Sequence, residues 1–380
     1  MNLDLSLKVI NEYKYDYVIV GAGMYGSTFA RIATDNGKKV CILEKRHHIA
    51  GNCYSSRENG IDIHKYGPHI FHTSNESVWK FLNRFCAFSN FINSPLAFSN
   101  NELYALPFNM HTFNKLWGTK TPAEAICKLN AQRENLDRPP ENLEEQALAL
   151  VGRDIYECLI KNYTIKQWKE HPKNLPAEII RRLPLRYTYD TNYFNDKYQG
   201  IPKEGYTCMF ENMLNGIEVK LNIDFLSNKE YWESQGRHIV YTGNIDKYFN
   251  YEFGDLEYRT LDFFDTWHQS CNVQGNAVIN YCDLEYPFTR KIEHRHFMAS
   301  CDSDMSIITE EHPAVWSRDR IPYYPINNVR NQAIFNQYRE KSKSLGNYTF
   351  GGRLAEYKYY DMHAVCLSAL LEAQRHGLVS

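Results

Sequence analysis

The sequence lacks the features that mark membrane proteins, secreted proteins and zinc proteins. No apolar run approaches the roughly 20 residues that cross a bilayer, and the first residues, MNLDLSLKVINEYKYDY, have neither the basic start nor the apolar core of a signal peptide. Ten cysteines occur without a C-x-x-C pair, a pattern that disfavours a zinc site and a disulfide framework. We therefore expect a cytoplasmic protein with no membrane span and no metal site.

The sequence also lacks a charge excess of either sign, internal repeats and low-complexity segments. A net charge of −2 provides no electrostatic reason to expect nucleic acid as a partner. Tyrosine, by contrast, is abundant, with 28 tyrosines against 20 phenylalanines. Because tyrosine combines an apolar face with a polar tip, this composition suits surfaces that bind sugars or nucleobases.

Residues 15–44 predict a dinucleotide-binding unit. YDYVIV predicts a buried strand, and it is followed by GAGMYG, a helix over 24–36 that ends at Gly37, and a second strand, KVCILE. Gly21 permits the tight turn, Gly23 permits close approach of a pyrophosphate, and Gly26 permits close packing of helix on strand. Glu44, at the end of the second strand, is placed to accept a ribose hydroxyl.

The residues after Glu44 favour FAD over NAD. An acidic residue at this position disfavours a 2′-phosphate, and EKRHHIAGN continues the pattern of FAD proteins in which a small-residue pair follows. The pair here is Ala50-Gly51, where two glycines are commoner. Alanine is tolerable at this position if Ala50 has a negative φ, and Gly51 is left as the residue of close approach.

The rest of the chain predicts helices and then strands. TPAEAICKLNAQ and ENLEEQALALVGRDIYECLIKNY have helical spacing and predict an inserted helical domain. After Pro184, the aromatic segments LRYTYDTNYF, GNAVINYC and RKIEHRHF predict antiparallel strands. IEVKLNIDF, HIVYTGNID and YTFGGRL predict further strands of the nucleotide-binding sheet, and DMHAVCLSALLEAQR predicts a last helix with Asp361 as its N-cap.

Eight further blocks occur in the order typical of one family: HKYGPHIFHT, NSPLA, YTIKQW, LPLRYTYDTNYF, YQGIPKEGY, EYPFTRKIEH, PYYPI and GGRLAEYKYYDM. From about Tyr17 to the last helix the chain resembles the bacterial UDP-galactopyranose mutases. The resemblance implies an α/β fold in which a FAD-binding Rossmann-type domain carries an inserted helical domain and an antiparallel six-stranded sheet. The implied boundaries are 15–90, 200–248 and 325–380 for the FAD domain, 103–184 for the helical domain with a mobile substrate loop, and 91–102, 185–199 and 249–324 for the sheet domain.

The resemblance also implies an activity. Family members interconvert UDP-galactopyranose and UDP-galactofuranose through a covalent N5-galactosyl adduct of reduced FAD, with no net redox change. The furanose product is used in cell-surface polysaccharide biosynthesis. The implied partners are the UDP-sugar, a cellular reductant of the flavin and a second copy of the chain in a homodimer.

The matched motifs imply roles for individual residues. Arg182 and Arg290 are expected to clamp the diphosphate, since the planar guanidinium suits phosphate oxygens, and with His69 they form the implied catalytic set. HKYGPHIFH is expected to lie against the flavin, with the Pro68 carbonyl and His69 close to N5. Tyr163 is expected to stack on uracil. The other implied substrate residues are Asn93, Thr164, Trp168, Tyr193, Asn280, Tyr324 and Tyr359, and the other implied cofactor residues are Asn52, Val219, Arg353, Tyr359, Asp361 and Met362.

Three alternatives stay open on the sequence. A flavin oxidase or dehydrogenase of the amine-oxidase type shares the first forty residues and the Asp-helix ending, although the paired arginines and the Tyr163 block favour a mutase. A module that binds FAD or a nucleotide sugar without catalysis is the second. For His64 and His72, a purely structural role behind the loop is as consistent with the pattern as a functional one.

Overall fold

The computed structural model describes residues 13–180 and 184–379. Arg182, one of the two arginines predicted to clamp the diphosphate, lies outside the described residues. In chain order the strands are β1 (Tyr15–Val20), β2 (Val40–Leu43), β3 (Ser55–Glu58), β4 (Ile61–His64), β5 (Phe71–Thr73), β6 (Leu96–Ser99), β7 (Glu102–Ala105), β8 (Tyr198–Gly200), β9 (Glu218–Lys220), β10 (Gly236–Tyr241), β11 (Tyr258–His268), β12 (Val278–Tyr281), β13 (Arg290–Glu293), β14 (Ser306–Val315), β15 (Tyr324–Pro325) and β16 (Tyr348–Phe350).

The α-helices lie between these strands, and four of them, α3 to α6, follow one another after β7. They are α1 (Met24–Asp35), α2 (Glu76–Leu82), α3 (Met110–Trp117), α4 (Pro122–Gln132), α5 (Leu143–Ile155), α6 (Lys161–Trp168), α7 (Tyr206–Met213), α8 (Lys229–Gln235), α9 (Ile245–Tyr248), α10 (Val329–Ser342) and α11 (Met362–Arg375). None of the helices within the described ranges is long and apolar enough to cross a bilayer.

The chain forms two compact units. The described residues of unit 1 are 13–51, 210–255 and 334–379, and those of unit 2 are 52–180, 184–209 and 256–333. The finer division into three domains stays a prediction of the sequence resemblance.

Unit 1 is built on a parallel sheet of five strands in the order β16-β10-β1-β2-β9. Val18, Ile19, Cys41 and Ile42 in its inner strands are fully buried, because a parallel sheet is covered on both faces. The predicted strand-helix-strand unit is confirmed: β1 leads into α1, and β2 pairs with β1 in parallel. The three later segments assigned to this sheet form β9, β10 and β16.

Unit 2 contains a sheet of seven strands, in the order β15-β11-β14-β13-β12-β6-β7, rather than the six expected. The neighbours pair antiparallel except β6 and β12, which run parallel with Ile279 opposite Leu96. The β6–β7 hairpin forms one edge of this sheet, and Asn100 and Asn101 at its turn both adopt positive φ. Asparagine tolerates that conformation better than most residues, so the chain reverses here and extends the sheet edge.

The segment LRYTYDTNYF is irregular, so the prediction of a strand here is wrong. Its backbone folds around Arg186, whose guanidinium donates to the carbonyls of Asn192, Tyr193 and Phe194. A backbone that directs three successive carbonyls at one side chain cannot also supply them to a sheet. RKIEHRHF is a strand only over Arg290–Glu293, because residues 294–297 form a 3₁₀ turn.

The helical part of unit 2 begins where the sequence predicts it. Thr121 caps α4 in a reciprocal capping box with Glu124. The long helix predicted next is interrupted at Gly152, which has a φ of +72°, and residues 156–160 form a π-helical turn before α6. The interruption shifts the phase of α6 relative to α5, while Leu143, Ala147, Val151, Ile155 and Leu159 remain in one buried core.

Candidate active site

Unit 1 holds a glycine cradle between β1 and α1. Gly21 has a φ of +105°, and a Cβ at Gly26 would lie 2.0 Å from the Gly21 carbonyl oxygen, so α1 can pack here only without a side chain. The N-terminus of the 12-residue α1 therefore opens directly onto the loop, with its unpaired N–H groups available to an anion. These features fit the pyrophosphate of a dinucleotide.

The condition of a negative φ at Ala50 is not met, since its φ is +71°. The Ala50 N–H donates to the Ala22 carbonyl over 2.9 Å, and a Cβ at Gly51 would lie 3.0 Å from the Gly23 Cα. This close approach of two turns fixes the backbone angles and outweighs the cost of about 1–2 kcal/mol that a left-handed conformation imposes on an L-residue.

Glu44 sits beside the cradle and is 5% exposed. One carboxylate oxygen accepts the Ala22 N–H at 2.9 Å, and the other accepts the Arg46 N–H at 2.9 Å. Because each carboxylate oxygen can accept more than one hydrogen bond, this arrangement orients the group and leaves lone pairs for a ribose hydroxyl. Val219 lies on the neighbouring strand β9, opposite Ile42 of β2.

The C-terminal residues of unit 1 form a second group. The Arg353 guanidinium lies 5.2 Å from the centre of the Tyr359 ring, and Tyr359 is 54% exposed. Asp361 occupies the N-cap position of α11 as predicted, although within the described first turn its side chain forms no capping hydrogen bond. Met362 is therefore the first residue of a 14-residue helix whose N-terminal dipole favours negative charge.

Unit 2 brings three of the predicted substrate residues, Asn280, Tyr163 and Tyr324, together around Arg290. On the sheet, Arg290 of β13 pairs with Asn280 of β12 on one side. Its Nε donates to the Tyr163 hydroxyl at 3.2 Å. Burial alone would lower the pKa of Arg290, but the charge of Glu311 together with Tyr163 and Tyr324 raises that pKa well above its usual value.

The Arg290 side chain makes two contacts, and both use Nε. One is the hydrogen bond to Tyr163, and the other is with a Glu311 carboxylate oxygen at 3.6 Å. Its terminal amino groups form no hydrogen bond with any residue in the described part of the chain. The side chain is 22% exposed, so these amino groups can reach a ligand. A permanently charged guanidinium with its bidentate edge free is suited to a phosphate.

Glu311 is a site residue that the sequence analysis missed. It is 1% exposed, and one of its oxygens accepts from the Thr289 hydroxyl at 3.3 Å. The other oxygen is buried without a hydrogen-bond partner among the described residues. It faces Gly67 (φ +96°), where an added Cβ would lie 3.7 Å from it. Strand alternation could have revealed it, because Ile307 and Thr309 share its inward side.

Asn93 and Tyr193 form a second pair of predicted substrate residues. The Tyr193 N–H donates to the Asn93 carbonyl at 2.8 Å, and the Asn93 N–H donates to the Gln199 side chain at 3.1 Å. Arg186, which organises this loop, is thereby a structural residue. Thr164 is 5% exposed, and Trp168 packs partly buried against the helical core.

The histidines of HKYGPHIFH make different contacts within unit 2. His64 is 2% exposed and stacks on Phe297 with ring centres 4.7 Å apart, and burial lowers its pKa well below the usual value. Its Nδ1 accepts the His69 N–H at 3.1 Å. His72 contacts Asp196 through Nδ1 at 2.7 Å. These contacts favour a structural role for both histidines: His64 holds the Gly67-Pro68-His69 turn in place, and His72 binds Asp196.

Comparison with known proteins is consistent with these two sites. Residues 19–85 match a family described as an NAD(P)-binding Rossmann-like domain, and residues 158–359 match the family described as UDP-galactopyranose mutase. A crystal structure of a reduced UDP-galactopyranose mutase superposes with a TM-score of 0.72 at 13% identity, covering 96% of this chain and 95% of that one. At that identity the superposition shows the fold.

Relatives in sequence extend over nearly the whole chain. A dTDP-fucopyranose mutase of Escherichia coli is 40% identical, covering 93% of this chain and 96% of its own length. A probable UDP-galactopyranose mutase of Klebsiella pneumoniae is 39% identical, with 94% and 93% covered. A UDP-galactopyranose mutase of Mycoplasma genitalium is 33% identical, with 99% of both chains covered. The chain therefore belongs to the UDP-galactopyranose mutase family and is an enzyme of the isomerase class.

Proposed function

We propose that this enzyme interconverts the pyranose and furanose forms of a nucleoside-diphosphate galactose, UDP-galactose, on a bound FAD that must be reduced. The observation that carries the proposal is the Arg290 side chain, which Tyr163 and Glu311 hold through Nε while its terminal amino groups remain available to a phosphate. The glycine cradle and Glu44 supply the complementary site for the cofactor.

Arg290 acts on the leaving group in this proposal. As the bond between the sugar and the diphosphate breaks, negative charge accumulates on the diphosphate oxygen, so a guanidinium there stabilises the transition state more than the ground state. Arg182 is proposed as the second arginine of this clamp, and Tyr163 as the ring that stacks on the base. Asn280, the register partner of Arg290, borders the sugar.

When bound, reduced FAD would supply a nucleophilic ring nitrogen, N5, for the anomeric carbon, and the reaction would involve no net oxidation. The residues proposed to hold the cofactor are Gly21, Gly23, Gly26, Glu44, Gly51, Asn52, Pro68, His69, Val219, Arg353, Tyr359, Asp361 and Met362. The Gly67-Pro68-His69 turn is fixed by the His64 imidazole, which accepts the His69 N–H.

A second substrate is favoured by one comparison. The Escherichia coli relative, 40% identical, is a dTDP-fucopyranose mutase. A thymidine diphosphate sugar carries the same diphosphate, so the arginine clamp would serve either substrate. The two differ at the base methyl, at the ribose 2′-position and at C6 of the sugar, and a test must therefore include both.

The decisive experiment is product analysis under anaerobic conditions. The FAD-loaded protein is reduced with dithionite, incubated separately with UDP-galactofuranose and with dTDP-fucofuranose, and the products are separated by chromatography. We expect the pyranose form to accumulate with one of the two, and no conversion with oxidised protein. Conversion at equal rates in both redox states, or conversion of neither sugar, would contradict the proposal. Oxygen consumption stoichiometric with product would instead support an oxidase of the amine-oxidase type.

Three further proposals accompany this function. The enzyme is expected to act in the cytoplasm, as a homodimer, with its flavin kept reduced by a cellular reductant. The ten cysteines are all free in the described chain, which is compatible with a reducing compartment.

A further inference from the structure

The ammonium group of Lys166 is buried in unit 2 and is saturated by three backbone carbonyls. Lys166 lies on α6 and is 6% exposed. Its Nζ donates to the carbonyl oxygens of Tyr281 at 2.6 Å, Phe288 at 2.9 Å and Tyr286 at 3.2 Å. An ammonium has three donors, so each of its hydrogens has one acceptor. Tyr281 is the last residue of β12, and Tyr286 and Phe288 lie in the loop over residues 282–289 that connects β12 to β13.

The same helix and the same loop carry the proposed nucleotide-diphosphate site. Tyr163 precedes Lys166 by one helical turn, so both side chains lie on the same face of α6. Arg290 is the first residue of β13 after the loop, and its Nε donates to the hydroxyl of Tyr163 on α6. The distance between Tyr163 and Arg290 therefore depends on how closely the loop is held to the helix, and Lys166 holds it at three points.

Other contacts fix the two ends of the loop, and one more joins it to the turn before α6, where the Cys282 thiol donates to the Leu159 carbonyl at 3.5 Å. The Tyr281 N–H donates to the Thr289 carbonyl at 2.9 Å, which closes the base of the loop. Asp283 accepts the Ser99 hydroxyl at 3.0 Å and the Asn100 N–H at 2.8 Å, and Ser99 also donates to the Cys158 carbonyl at 2.8 Å. The charged and titratable groups that act on Lys166 are Asp283 and the Cys282 thiol on the loop and Lys169 at the end of α6.

We propose that Lys166 is a positioning residue for substrate binding: by gathering the 281, 286 and 288 carbonyls against α6, it sets the separation of Tyr163 and Arg290 that the nucleoside diphosphate requires. This inference rests on the proposed function. Arginine cannot replace it, because a planar guanidinium cannot direct three hydrogen bonds at converging carbonyl oxygens from a single point.

The test compares Lys166→Met with Lys161→Met in the FAD-loaded enzyme. Lys161 lies on the same helix and pairs with Glu157 at the surface, so it controls for loss of a lysine from α6. We expect the UDP dissociation constant, measured by calorimetry, to rise at least ten-fold in Lys166→Met and less than two-fold in Lys161→Met. FAD content should equal that of the unmodified enzyme in both variants.

A pH titration of the unmodified enzyme separates positioning from simple stabilisation. Burial lowers the pKa of Lys166 to about 8, and the neutral amine has only two donors for the three carbonyls. UDP affinity should therefore weaken between pH 7 and pH 9.5 in the unmodified enzyme and stay level in Lys166→Met. Because the folded-state pKa is below that of an unfolded lysine, this group increases the stability of the fold as pH rises from about 8 towards its unfolded pKa. A purely structural lysine would thus produce no loss of affinity across that window.

The outcomes distinguish this inference from the proposed function. If the unmodified enzyme binds UDP and Lys166→Met binds it equally well, Lys166 is not a positioning residue. The same conclusion follows if weaker binding accompanies a proportional loss of FAD and of folded protein. If Lys166→Met is insoluble, the titration of the unmodified enzyme decides, and a level UDP affinity up to pH 9.5 overturns the inference. Failure of the unmodified enzyme to bind UDP would contradict the proposed function instead.

Discussion

Tyr163 and Arg290 are joined by a 3.2 Å hydrogen bond between the tyrosine hydroxyl and the arginine Nε. The bond links a helix to a sheet strand and leaves the outer edge of the guanidinium open. It determines where the positive charge of Arg290 is presented, and several measurable consequences depend on it.

Tyr163→Phe should weaken nucleotide binding while leaving the stacking surface in place. A hydrogen bond to a charged group contributes about 1.5–3 kcal/mol, so we expect the UDP dissociation constant to rise by roughly ten-fold or more. Tyr189→Phe is the matched control, because the Tyr189 hydroxyl donates to the Lys120 carbonyl at the surface and, within the described residues, not to any predicted site residue. Equal UDP affinity in the two variants would show that the hydroxyl does not orient Arg290.

Arg290→Ala and Arg182→Ala should each lose most activity and retain FAD. Removing a charge that stabilises the departing diphosphate acts on the transition state, and donors of this kind are worth about 10²–10³-fold in kcat. Arg153→Ala serves as a control, since Arg153 forms a surface ion pair with Glu134. Steady-state kinetics with the reduced enzyme provides the measurement, and near-normal kcat/KM in either variant would remove that arginine from the clamp.

Gly26→Ala should abolish FAD binding, whereas Gly37→Ala should only destabilise the protein. A Cβ at Gly26 would lie 2.0 Å from a backbone oxygen, so the loop must open. At Gly37 (φ +72°) there is open space, and the cost is the left-handed conformation, about 1 kcal/mol. Flavin absorbance and thermal unfolding distinguish the two effects. A yellow Gly26→Ala protein with normal FAD content would contradict the assignment of the glycine cradle as the FAD site.

Glu293→Gln should reduce stability at neutral pH without affecting the site directly. The carboxylate is fully buried and accepts the Gln274 and Val273 N–H groups, at 2.8 Å and 2.9 Å, and the Ser306 hydroxyl at 2.7 Å. Burial raises the pKa of Glu293, but these hydrogen bonds outweigh it and hold the pKa below its usual value. We expect a loss of about 1–3 kcal/mol in the free energy of unfolding.

The pH dependence of that loss follows from the sign of the shift. Because the pKa of Glu293 is lower in the folded protein, its carboxylate stabilises the fold at pH values above the unfolded pKa of about 4.3. This stabilisation is lost as the pH falls through the folded-state pKa. Urea unfolding at pH 7.5 and pH 4 should therefore show a smaller difference between the two proteins at the lower pH. Glu340→Gln, in an exposed surface pair with Lys343, is the control. A difference that grows on acidification would refute the assignment.

UDP should protect part of the segment after α6 from proteolysis and change Trp168 fluorescence. The sequence resemblance predicts a mobile substrate loop here. Leu175 is buried in the helical core, and its carbonyl accepts the Leu143 N–H at 2.9 Å, so the chain is anchored at that point. We expect the protection to be greatest over 167–174, before the anchor. Tight UDP binding with unchanged cleavage throughout 167–180 would show that the segment does not move.

The sequence by itself determined the features whose signals are local. The β1-loop-α1-β2 unit could be predicted because strand, glycine turn, helix and second strand follow one another within about thirty residues and each has its own pattern. The start of α4 at Thr121 was equally readable, since the capping box lies within four residues. The family itself was identifiable from motifs, because motifs are local patterns as well.

Tertiary structure alone decided the features that depend on partners far away in the chain. Arg186 withdraws a tyrosine-rich segment from the sheet by binding its carbonyls, and Ala50 is forced to a positive φ by its contact with Ala22. In the sequence, Lys166 and Glu311 look like ordinary surface charges. In the folded chain Lys166 donates to buried carbonyls such as that of Tyr281, and Glu311 lies beside Arg290 on the neighbouring strand. The physical reason is that burial of a charge is tolerated only where distant groups complete its hydrogen bonds, and which groups arrive is set by packing.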